Sequence, residues 1–337
     1  MRALILHGPG DLRLVERPRP TAGPGDVVVA IDAALTCATD TKILARGEHP
    51  SLGPVPVPFG HEGAGTVVEA GPGAPAAVGD RVVVANSAPC GTCEWCRAGR
   101  EGLCGDISYL SGTYAQYLRV PERIAMVNML AIPDVLDPAL AALSEPVACG
   151  LRGAERSAAR AGQSVVVLGG GLQGQVVCGA LARRGCEVIL CDPHPERRAL
   201  AMRMGATITA DAPRDASALA GIRAHTPGGL GAHVAVAAVG AVSVWEAAVA
   251  LVRPGGEVNL HGGPGPGEVL SVPAGPLHYG EITLQASYHH TPAMFRAALA
   301  EISAAPELFA EFLGPEIGLA DVPRALAAGG QKRVVRP

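Results

Sequence analysis

The stretch Ser164-Val-Val-Val-Leu168-Gly-Gly-Gly171-Leu-Gln-Gly174 decides the fold of the second half of the chain. Its Val-Val-Val-Leu run predicts a buried strand, and the residues from the last glycine to Arg184 predict a helix. Between them Gly169, Gly171 and Gly174 match the pattern G-x-G-x-x-G. Glycines at such a turn let the backbone approach a pyrophosphate, which sits on the N-terminus of the following helix. In a glycine-rich chain the pattern alone is weak, and its position between a strand and a helix is what makes it persuasive.

The region around this turn alternates between apolar strands and helices. The predicted strands after the first are Glu187–Cys191, Thr207–Ala210, His233–Val239, Glu257–His261 and Ile282–Tyr288, and two clear helices are Pro195–Met204 and Val244–Val252. Apolar strands that alternate with helices of about 10–15 residues indicate a parallel sheet covered on both faces. This region therefore predicts a doubly wound sheet of the Rossmann type.

The region before it has a different sequence pattern, with short predicted strands separated by Gly/Pro clusters. The predicted strands are Ala3–Leu6, Val27–Ile31, Gly65–Val68, Arg81–Val84 and Ala115–Val120. Turns at this density indicate an antiparallel barrel or sandwich. A helical stretch from Asp137-Pro138 to Ser157 follows. Beyond Tyr288 the alternation ends, and the remainder, with helices near Pro292–Ile302 and Leu319–Ala328, is expected to pack on the N-terminal region.

Composition narrows the class of protein. The chain has 337 residues, enough for two domains, and its net charge of −4 offers no basic field for nucleic acid or an anionic membrane. The apolar start Ala3–Leu6 is too short for a signal-peptide core, and the run from Val234 to Trp245 falls short of the ~20 residues of a membrane-spanning helix. Nine cysteines without a secretory signal favour metal binding or buried thiols over disulfides. We therefore expect a cytoplasmic protein with a small-molecule substrate.

Four cysteines form the strongest chemical signal in the sequence. They are Cys90, Cys93, Cys96 and Cys104, which lie within fifteen positions. Tetrahedral zinc needs four thiolates about 2.3 Å from one point, and a loop with two-residue spacers can supply them. Four thiolates leave no open coordination position, so this zinc is predicted to be structural. An iron–sulfur cluster with the same ligand type and four unrelated buried thiols are the alternatives.

A second group of possible metal ligands is dispersed along the chain. Its members are Cys37 in Thr36-Cys-Ala-Thr39-Asp40, His61 and Glu62 in Phe59-Gly-His-Glu-Gly63, and Glu145 in Ser144-Glu-Pro146. A lone cysteine or histidine is usually structural. These residues indicate a metal site because of their combination and their order along the chain.

That order resembles the zinc-containing medium-chain dehydrogenases, from Met1 to the C-terminus. The Ser-Glu-Pro segment resembles the polyol (sorbitol) and threonine dehydrogenase branch, in which Glu replaces the second zinc-binding Cys of the alcohol dehydrogenases. The resemblance implies a catalytic zinc held by Cys37 and His61, with Glu62, Glu145 or both completing the set. Such a zinc keeps one position for water or substrate, whose oxygen it polarises as a Lewis acid. For Glu62 the alternative is an outer role in orienting His61 or another ligand.

The glycine turn and the next strand define the predicted cofactor site, with Gly169, Gly171, Leu172, Gln173 and Gly174 at the pyrophosphate. Asp192 ends the following strand, where a carboxylate accepts hydrogen bonds from the adenosine ribose and repels a 2′-phosphate. This favours NAD over NADP. Arg197 and Arg198 either reach the adenosine end or belong to a solvated helix face. Gln173 stands where the family more often has an apolar residue.

The resemblance also implies how the reaction proceeds. The substrate lies between a barrel domain that carries both zinc ions and a dinucleotide-binding domain, and hydride passes to the nicotinamide. Thr39, two residues after Cys37, is expected to relay the proton. Relatives often have a histidine five residues after this cysteine, where this chain has Lys42. We expect Lys42 to attract an anionic or hydroxyl-rich substrate or to pair with a carboxylate such as Asp40, the alternative being a solvated surface lysine.

The sequence as a whole predicts an α/β protein with a GroES-like antiparallel barrel over 1-150 and 288-337 and a Rossmann domain over 151-287. The predicted function is a zinc-dependent, NAD-using dehydrogenase of a secondary alcohol (a polyol, cyclitol or sugar-like compound), in a homodimer or homotetramer. The alternatives are a sugar-phosphate or threonine-type amino-alcohol dehydrogenase and a non-catalytic binding or structural descendant of the fold. Cys37, His61 and the cysteine loop disfavour a zinc-free quinone reductase. His289 and His290, after the last predicted strand, belong to a segment that either contacts substrate or caps the next helix.

Overall fold

The computed structural model describes all 337 residues and divides into two compact units. The first unit combines Met1–Ala148 with Thr291–Pro337, and the second is Cys149–His290. None of the helices combines the length and the apolar character that crossing a bilayer requires.

The N-terminal part of the chain consists mainly of short strands. Its elements are β1 (Arg2–Gly8), β2 (Asp11–Glu16), β3 (Val27–Leu35), α1 (Ala38–Arg46), β4 (Val57–Pro58), β5 (Gly63–Ala70), β6 (Arg81–Val84), β7 (Ser87–Ala88), α2 (Glu94–Arg97), β8 (Ser108–Tyr109), β9 (Tyr117–Val120), α3 (Glu122–Asn128), β10 (Met129–Ala131), α4 (Pro138–Ala142) and α5 (Ser144–Arg156). The boundary between the two units falls inside α5.

The middle of the chain alternates strands with helices, as the sequence predicts. Its elements are β11 (Ser164–Leu168), α6 (Leu172–Arg183), β12 (Glu187–Cys191), α7 (Pro195–Met204), β13 (Ile208–Ala210), α8 (Ala216–Ala224), β14 (Ala232–Ala237), α9 (Val242–Leu251), β15 (Val252–Leu260), α10 (Ala274–Tyr279) and β16 (Thr283–Ala286). The C-terminal part then adds α11 (Pro292–Ala304), α12 (Pro306–Ala310), β17 (Leu313–Gly318), α13 (Val322–Ala328) and β18 (Lys332–Arg336).

The first unit is organised around strand β3. Its main sheet has the order β10-β6-β5-β3-β18-β17, β9 also pairs with β3, and a smaller sheet has the order β2-β1-β4. Nearly every residue of β3 is buried, because its apolar run is covered on both faces. Leu4, Phe59, Tyr114 and Val335 belong to the core of this unit. The predicted β-rich, largely antiparallel architecture is confirmed, although β17 pairs with β18 in parallel.

The second unit contains a six-stranded sheet in the order β13-β12-β11-β14-β15-β16, and all its strand pairs are parallel. Alternate residues of β11 face two separate cores. Val165 and Val167 pack with Leu181 of α6, whereas Val166 and Leu168 pack with the residues of α9. The predicted doubly wound sheet is therefore confirmed, with helices covering both faces.

Several elements were absent from the sequence-based prediction, among them α1, α8, β17 and β18. Strand β18 has charged residues around only two valines, and it is completed by antiparallel pairing with β3, where Val334 lies opposite Leu35 and Val335 opposite Ala34. Such a short strand depends on a partner far away in the sequence, so local pattern does not reveal it. The predicted helix at Leu319–Ala328 begins as a 3₁₀ turn and is α-helical only over Val322–Ala328.

Candidate active site

Cys37 lies at the N-terminus of helix α1. Its Sγ accepts a hydrogen bond from the Thr39 backbone N–H (3.5 Å), and the Asp40 carboxylate accepts one from the Cys37 backbone N–H (3.1 Å). This is a capping box in which a cysteine takes the place usually held by Ser or Thr. The cap fixes the sulfur at the end of the helix.

His61 is oriented by the same acidic residue. Its Nδ1 lies 2.8 Å from Asp40 Oδ1, and the Tyr114 hydroxyl donates to Asp40 Oδ2. Burial opposes a charged imidazole, but the Asp40 carboxylate outweighs it and raises the pKa of His61 well above its ordinary value. Because Nδ1 faces Asp40, Nε2 is the nitrogen that remains for a metal.

Glu62 completes a compact cluster with these two residues. One ligand atom each from Cys37, His61 and Glu62 lies within 4.8 Å of the others. Both carboxylate oxygens of Glu62, which is fully buried, accept hydrogen bonds from Lys332 Nζ at 2.6 Å. Lys332 also donates to the Thr36 carbonyl oxygen (3.0 Å), and the Glu62 carboxylate raises the pKa of Lys332 although burial alone would lower it. The charge of Glu62 is thus balanced within the protein.

Glu145 is a second buried carboxylate near this cluster. It lies in the first turn of α5, and its Oε1 accepts a hydrogen bond from Asn86 Nδ2 (3.0 Å). Burial raises the pKa of Glu145 to about 7; His61 opposes this rise, and the negative charge of Glu62 adds to it. His61 and Lys332 offset only part of the cost of its charged form, and a metal ion would stabilise that form further.

The four cysteines of the loop meet as the spacing predicts. Sγ of Cys96 lies 3.5 Å from that of Cys93 and 3.9 Å from that of Cys90, and all four sulfurs lie within 4.8 Å of one another. Zinc with bonds of about 2.3 Å requires sulfurs about 3.8 Å apart, so the four thiols fit a tetrahedral ion. Hydrogen bonds from Thr92 and from the Cys93 backbone lower the pKa of Cys90 to about 6, which favours a thiolate.

The glycine turn connects β11 to α6 in the second unit. A Cβ atom on Gly174 would lie 1.7 Å from the Gly169 carbonyl oxygen, so only glycine allows the turn to close. Asp192 is buried beside it and accepts hydrogen bonds from the backbone N–H groups of Gly170 (2.7 Å) and His194 (2.9 Å). Burial opposes ionisation, but these donors lower the pKa of Asp192 below its ordinary value. A negative charge therefore lies at the end of β12.

Comparison with known proteins gives a consistent result. Residues 23–134 match the alcohol dehydrogenase GroES-like domain, and residues 174–304 match the zinc-binding dehydrogenase family. A sorbitol dehydrogenase from Bacillus subtilis is 31% identical over 283 residues, covering 81% of this chain and 78% of the relative. An erythritol/L-threitol dehydrogenase from Mycolicibacterium smegmatis is 33% identical over 282 residues, covering 78% and 76%.

Among solved structures, one from Sinorhizobium meliloti, assigned as a zinc-binding dehydrogenase and bound to NADP, superposes with a TM-score of 0.86. Its sequence is 30% identical, and the match covers 100% of this chain and 99% of that one. The chain belongs to the zinc-binding alcohol dehydrogenase family. It is therefore an oxidoreductase, and the predicted combination of a GroES-like domain with a Rossmann-type sheet is confirmed.

The remaining predicted residues of the dehydrogenase have more varied surroundings. Thr39 and Lys42 are both exposed on α1. Arg197 lies 3.5 Å from the Asp192 carboxylate and keeps a partly exposed side chain, whereas Arg198 donates to the Asp192 carbonyl oxygen (2.7 Å). Leu172 and Gln173 form the start of α6. In the segment with His289 and His290 the helix cap is Thr291, whose hydroxyl accepts from the Met294 N–H.

Several residues of the dehydrogenase site escaped sequence-based prediction. Asp40 was considered only as a partner for Lys42, and the roles of Tyr114, Asn86 and Lys332 were not predicted. The spacing of Cys37 and Asp40 is that of a capping box, a signal that could have identified Asp40. No local signal identifies Lys332, because it reaches Glu62 only through the pairing of β18 with β3.

Proposed function

We propose that this dehydrogenase oxidises a secondary alcohol of the polyol or sugar type, with a catalytic zinc and NAD as the hydride acceptor. The observation that carries the proposal is the cluster of Cys37, His61 and the buried Glu62 in the first unit, with the buried Glu145 carboxylate close enough to interact electrostatically with His61 and Glu62. Thiolate, imidazole and carboxylate are the ligands that zinc uses in proteins. The names of the sorbitol and erythritol relatives support the substrate class.

In this proposal Cys37, His61 and Glu145 hold the catalytic zinc. Asp40 accepts the Nδ1 proton of His61 and so keeps Nε2 directed at the metal. When it is bound, zinc acts as a Lewis acid on the substrate oxygen. Thr39, on the exposed first turn of α1, accepts the proton of the alcohol and passes it toward solvent.

Glu62 is assigned an outer role. Its two oxygens are both engaged by Lys332, which balances its charge without a metal. Glu145 accepts from the neutral amide of Asn86, and burial makes its charged form costly. A bound cation would therefore stabilise the charged form of Glu145 more than that of Glu62.

The four-cysteine loop is proposed to hold a second, structural zinc. Its sulfur separations suit a tetrahedral ion, and four thiolates leave no position for substrate. Zinc bound in this way contributes directly to folding free energy.

For the cofactor we propose NAD, with Gly169, Gly171, Leu172, Gln173 and Gly174 at the pyrophosphate turn and Arg197 near the adenosine end. The buried negative charge of Asp192 supports this choice, because a 2′-phosphate beside it would be repelled. The Sinorhizobium structure contains NADP, so the choice needs a direct test. We expect kcat/KM with NAD to exceed that with NADP about tenfold or more, since an uncompensated like-charge contact costs on the order of 1.4 kcal/mol. Equal values would show that Arg197 or Arg198 governs the choice.

A sugar phosphate is a second candidate substrate, because exposed Lys42 lies on the same helix as Cys37 and can attract an anion. The test of the function is NADH formation across matched pairs of polyols and their phosphates, with His61→Ala as the inactive control. Oxidation of the free polyols supports the main proposal, oxidation of only the phosphates supports the second, and no NADH from any alcohol contradicts both.

We also propose that the enzyme acts in the cytoplasm as a homodimer or homotetramer. Measurement of its mass in solution checks the oligomeric state.

A further inference from the structure

A hydrogen-bond network of three polar side chains lies in the second unit, and of the three only Gln173 belongs to the pyrophosphate turn described above. Nε2 of His261 lies 2.9 Å from the Gln173 side-chain oxygen Oε1, and Nδ1 of His261 lies 2.8 Å from the Ser287 hydroxyl. Gln173 is in the first turn of α6, His261 follows strand β15, and Ser287 follows strand β16. Three elements far apart in sequence thus meet through one imidazole.

The protonation state of the His261 imidazole is set by its surroundings. Burial lowers the pKa of His261 to about 4, so the imidazole is neutral at physiological pH and carries one N–H. The oxygen of the Gln173 amide can only accept, so the His261 proton is on Nε2 and Nδ1 accepts from the Ser287 hydroxyl. The amide oxygen of Gln173 is therefore held in one direction.

The imidazole is also fixed by packing. A Cβ atom on Gly153 of α5 would lie 2.9 Å from His261 Cε1 and Nδ1, so only glycine lets the helix backbone pack against this ring. Asn259, two residues before His261, donates to the Gly153 carbonyl oxygen at 2.8 Å. The ring therefore has little room to change its orientation.

The position of the network in the sheet indicates which half of a dinucleotide it meets. In the order β13-β12-β11-β14-β15-β16, Asp192 follows β12 on one side of β11, and His261 and Ser287 follow β15 and β16 on the other. A dinucleotide spans the carboxyl ends of such a sheet, with the adenosine on the side of the acidic residue and the pyrophosphate at the glycine turn. The nicotinamide half then lies on the side of β14 to β16.

The first turn of α6 shows the same division. Residues two apart on a helix point about 200° apart. Gln175 is directed to the adenosine side, where its Nε2 donates to the carbonyl oxygens of Gly170 and Arg197. Gln173 is directed to the opposite side, and it is only partly buried. Gln173 therefore lies at the end of the buried hydrogen-bond network that faces the expected position of the cofactor.

We propose that Gln173, held by His261 and Ser287, is a positioning residue for the nicotinamide half of the cofactor. It presents a fixed, neutral amide to the nicotinamide ring and its carboxamide group. This inference rests on the proposed use of a nicotinamide cofactor. It adds a group that sets the pose and the electrostatic surroundings of the reacting ring.

A charge placed at this position provides the sharpest test. The oxidised nicotinamide ring carries a positive charge and the reduced ring is neutral, so a carboxylate at position 173 should favour NAD+ over NADH. The test compares the holoenzyme with Gln173→Glu and with Gln163→Glu, at about pH 9, where His261 stays neutral even if a carboxylate partner raises its pKa. Gln163 is the matched control, because it lies at the opposite end of β11 and its side-chain oxygen accepts from the Arg160 N–H.

The dissociation constants of NAD+, NADH and ADP-ribose are measured by fluorescence and calorimetry. For Gln173→Glu we expect the ratio Kd(NAD+)/Kd(NADH) to fall about tenfold, while Gln163→Glu leaves it within about twofold of the wild type. ADP-ribose lacks the nicotinamide, so its Kd should not change in either variant. A ratio that moves no more in Gln173→Glu than in the control overturns the inference, as does an equal weakening of all three ligands.

A second variant covers the case in which Gln173→Glu does not fold. Gln173→Leu removes the amide, and we expect the Kd of NADH to rise about 3- to 10-fold with that of ADP-ribose unchanged. Equal changes for both ligands would mean that Gln173 only supports the fold, which overturns the inference. If the wild-type enzyme binds neither NADH nor ADP-ribose, the proposed use of a nicotinamide cofactor fails, and the inference fails with it.

Discussion

The two candidate metal-binding clusters of the first unit are built in opposite ways. The cysteine cluster comes from one loop, Cys90 to Cys104, and the sulfurs of Cys90 and Cys104 accept hydrogen bonds from backbone N–H groups in and next to that loop. The other cluster brings Cys37 from the start of α1, His61 from the residues before β5 and Glu145 from α5. One cluster is local in sequence, and the other exists only when the whole unit has folded.

The difference extends to how charge is handled. The cysteine loop offers only thiols as metal ligands, so a bound zinc ion would balance the charge of its thiolates. The dispersed cluster carries its own compensation, because Asp40 faces His61 and Lys332 pairs with Glu62. A site that exchanges substrates must keep its ligands oriented throughout turnover, and a surrounding layer of fixed polar groups provides this. We infer that the polar layer distinguishes the catalytic site from the structural one.

Among changes to this polar layer, we expect removal of the Lys332 charge to lower the free energy of unfolding most. Lys332→Met leaves the Glu62 carboxylate buried without its partner, and we expect a loss of about 3–5 kcal/mol in the free energy of unfolding. Chemical denaturation measures this loss. The double variant Glu62→Gln/Lys332→Met should recover most of it, because no uncompensated charge remains. A single variant within about 1 kcal/mol of the wild type would show that the pair does not stabilise the site.

In the proposed mechanism the proton route depends on Thr39, an exposed residue of α1. Thr39→Val should reduce kcat about 10²-fold or more, in line with lost proton-transfer catalysis, without changing zinc content. Lys42→Ala is the matched comparison on the same helix and should mainly raise KM. Steady-state kinetics over a range of pH separates the two. If Lys42→Ala instead lowers kcat at unchanged KM and shifts its pH profile, Lys42 is the relay.

The division of roles between the two carboxylates gives a smaller effect. Glu145→Gln keeps the shape but removes the charge, so zinc retention or kcat should fall about 10–100-fold. Glu62→Gln should have a weaker effect on zinc retention than Glu145→Gln. Dialysis against a chelator followed by metal analysis ranks the two variants. Unchanged zinc content and rate in Glu145→Gln would leave Glu62 as the acidic ligand.

Sequence patterns sufficed where the structure is local. The alternation of strands and helices predicts the parallel sheet, and the spacing of Cys90, Cys93, Cys96 and Cys104 predicts their meeting in space. The family resemblance, carried by the order of the motifs, pointed to Cys37, His61 and the acidic candidates.

Residues whose roles depend on distant contacts could not be predicted in this way. Lys332 acts through a strand pairing between β18 and β3, and the His261 network joins the ends of three elements. A single lysine or histidine has no local pattern that identifies such a partner. Asp40 is an intermediate case, because its spacing from Cys37 is a capping signal that a cysteine at the cap position obscures.

Zinc content measured together with activity and thermal unfolding tests the central claim most directly. That claim is that the first unit holds two zinc ions, one in the local cysteine cluster and one in the dispersed site. We predict two zinc ions per chain in the wild type and one in each of Cys93→Ser and His61→Ala. Cys93→Ser should lose stability because structural zinc contributes to folding free energy, whereas His61→Ala should lose turnover, about 10³-fold or more, with its unfolding temperature nearly unchanged. A wild type with one zinc or none, or two variants that lose the same ion, would contradict the account.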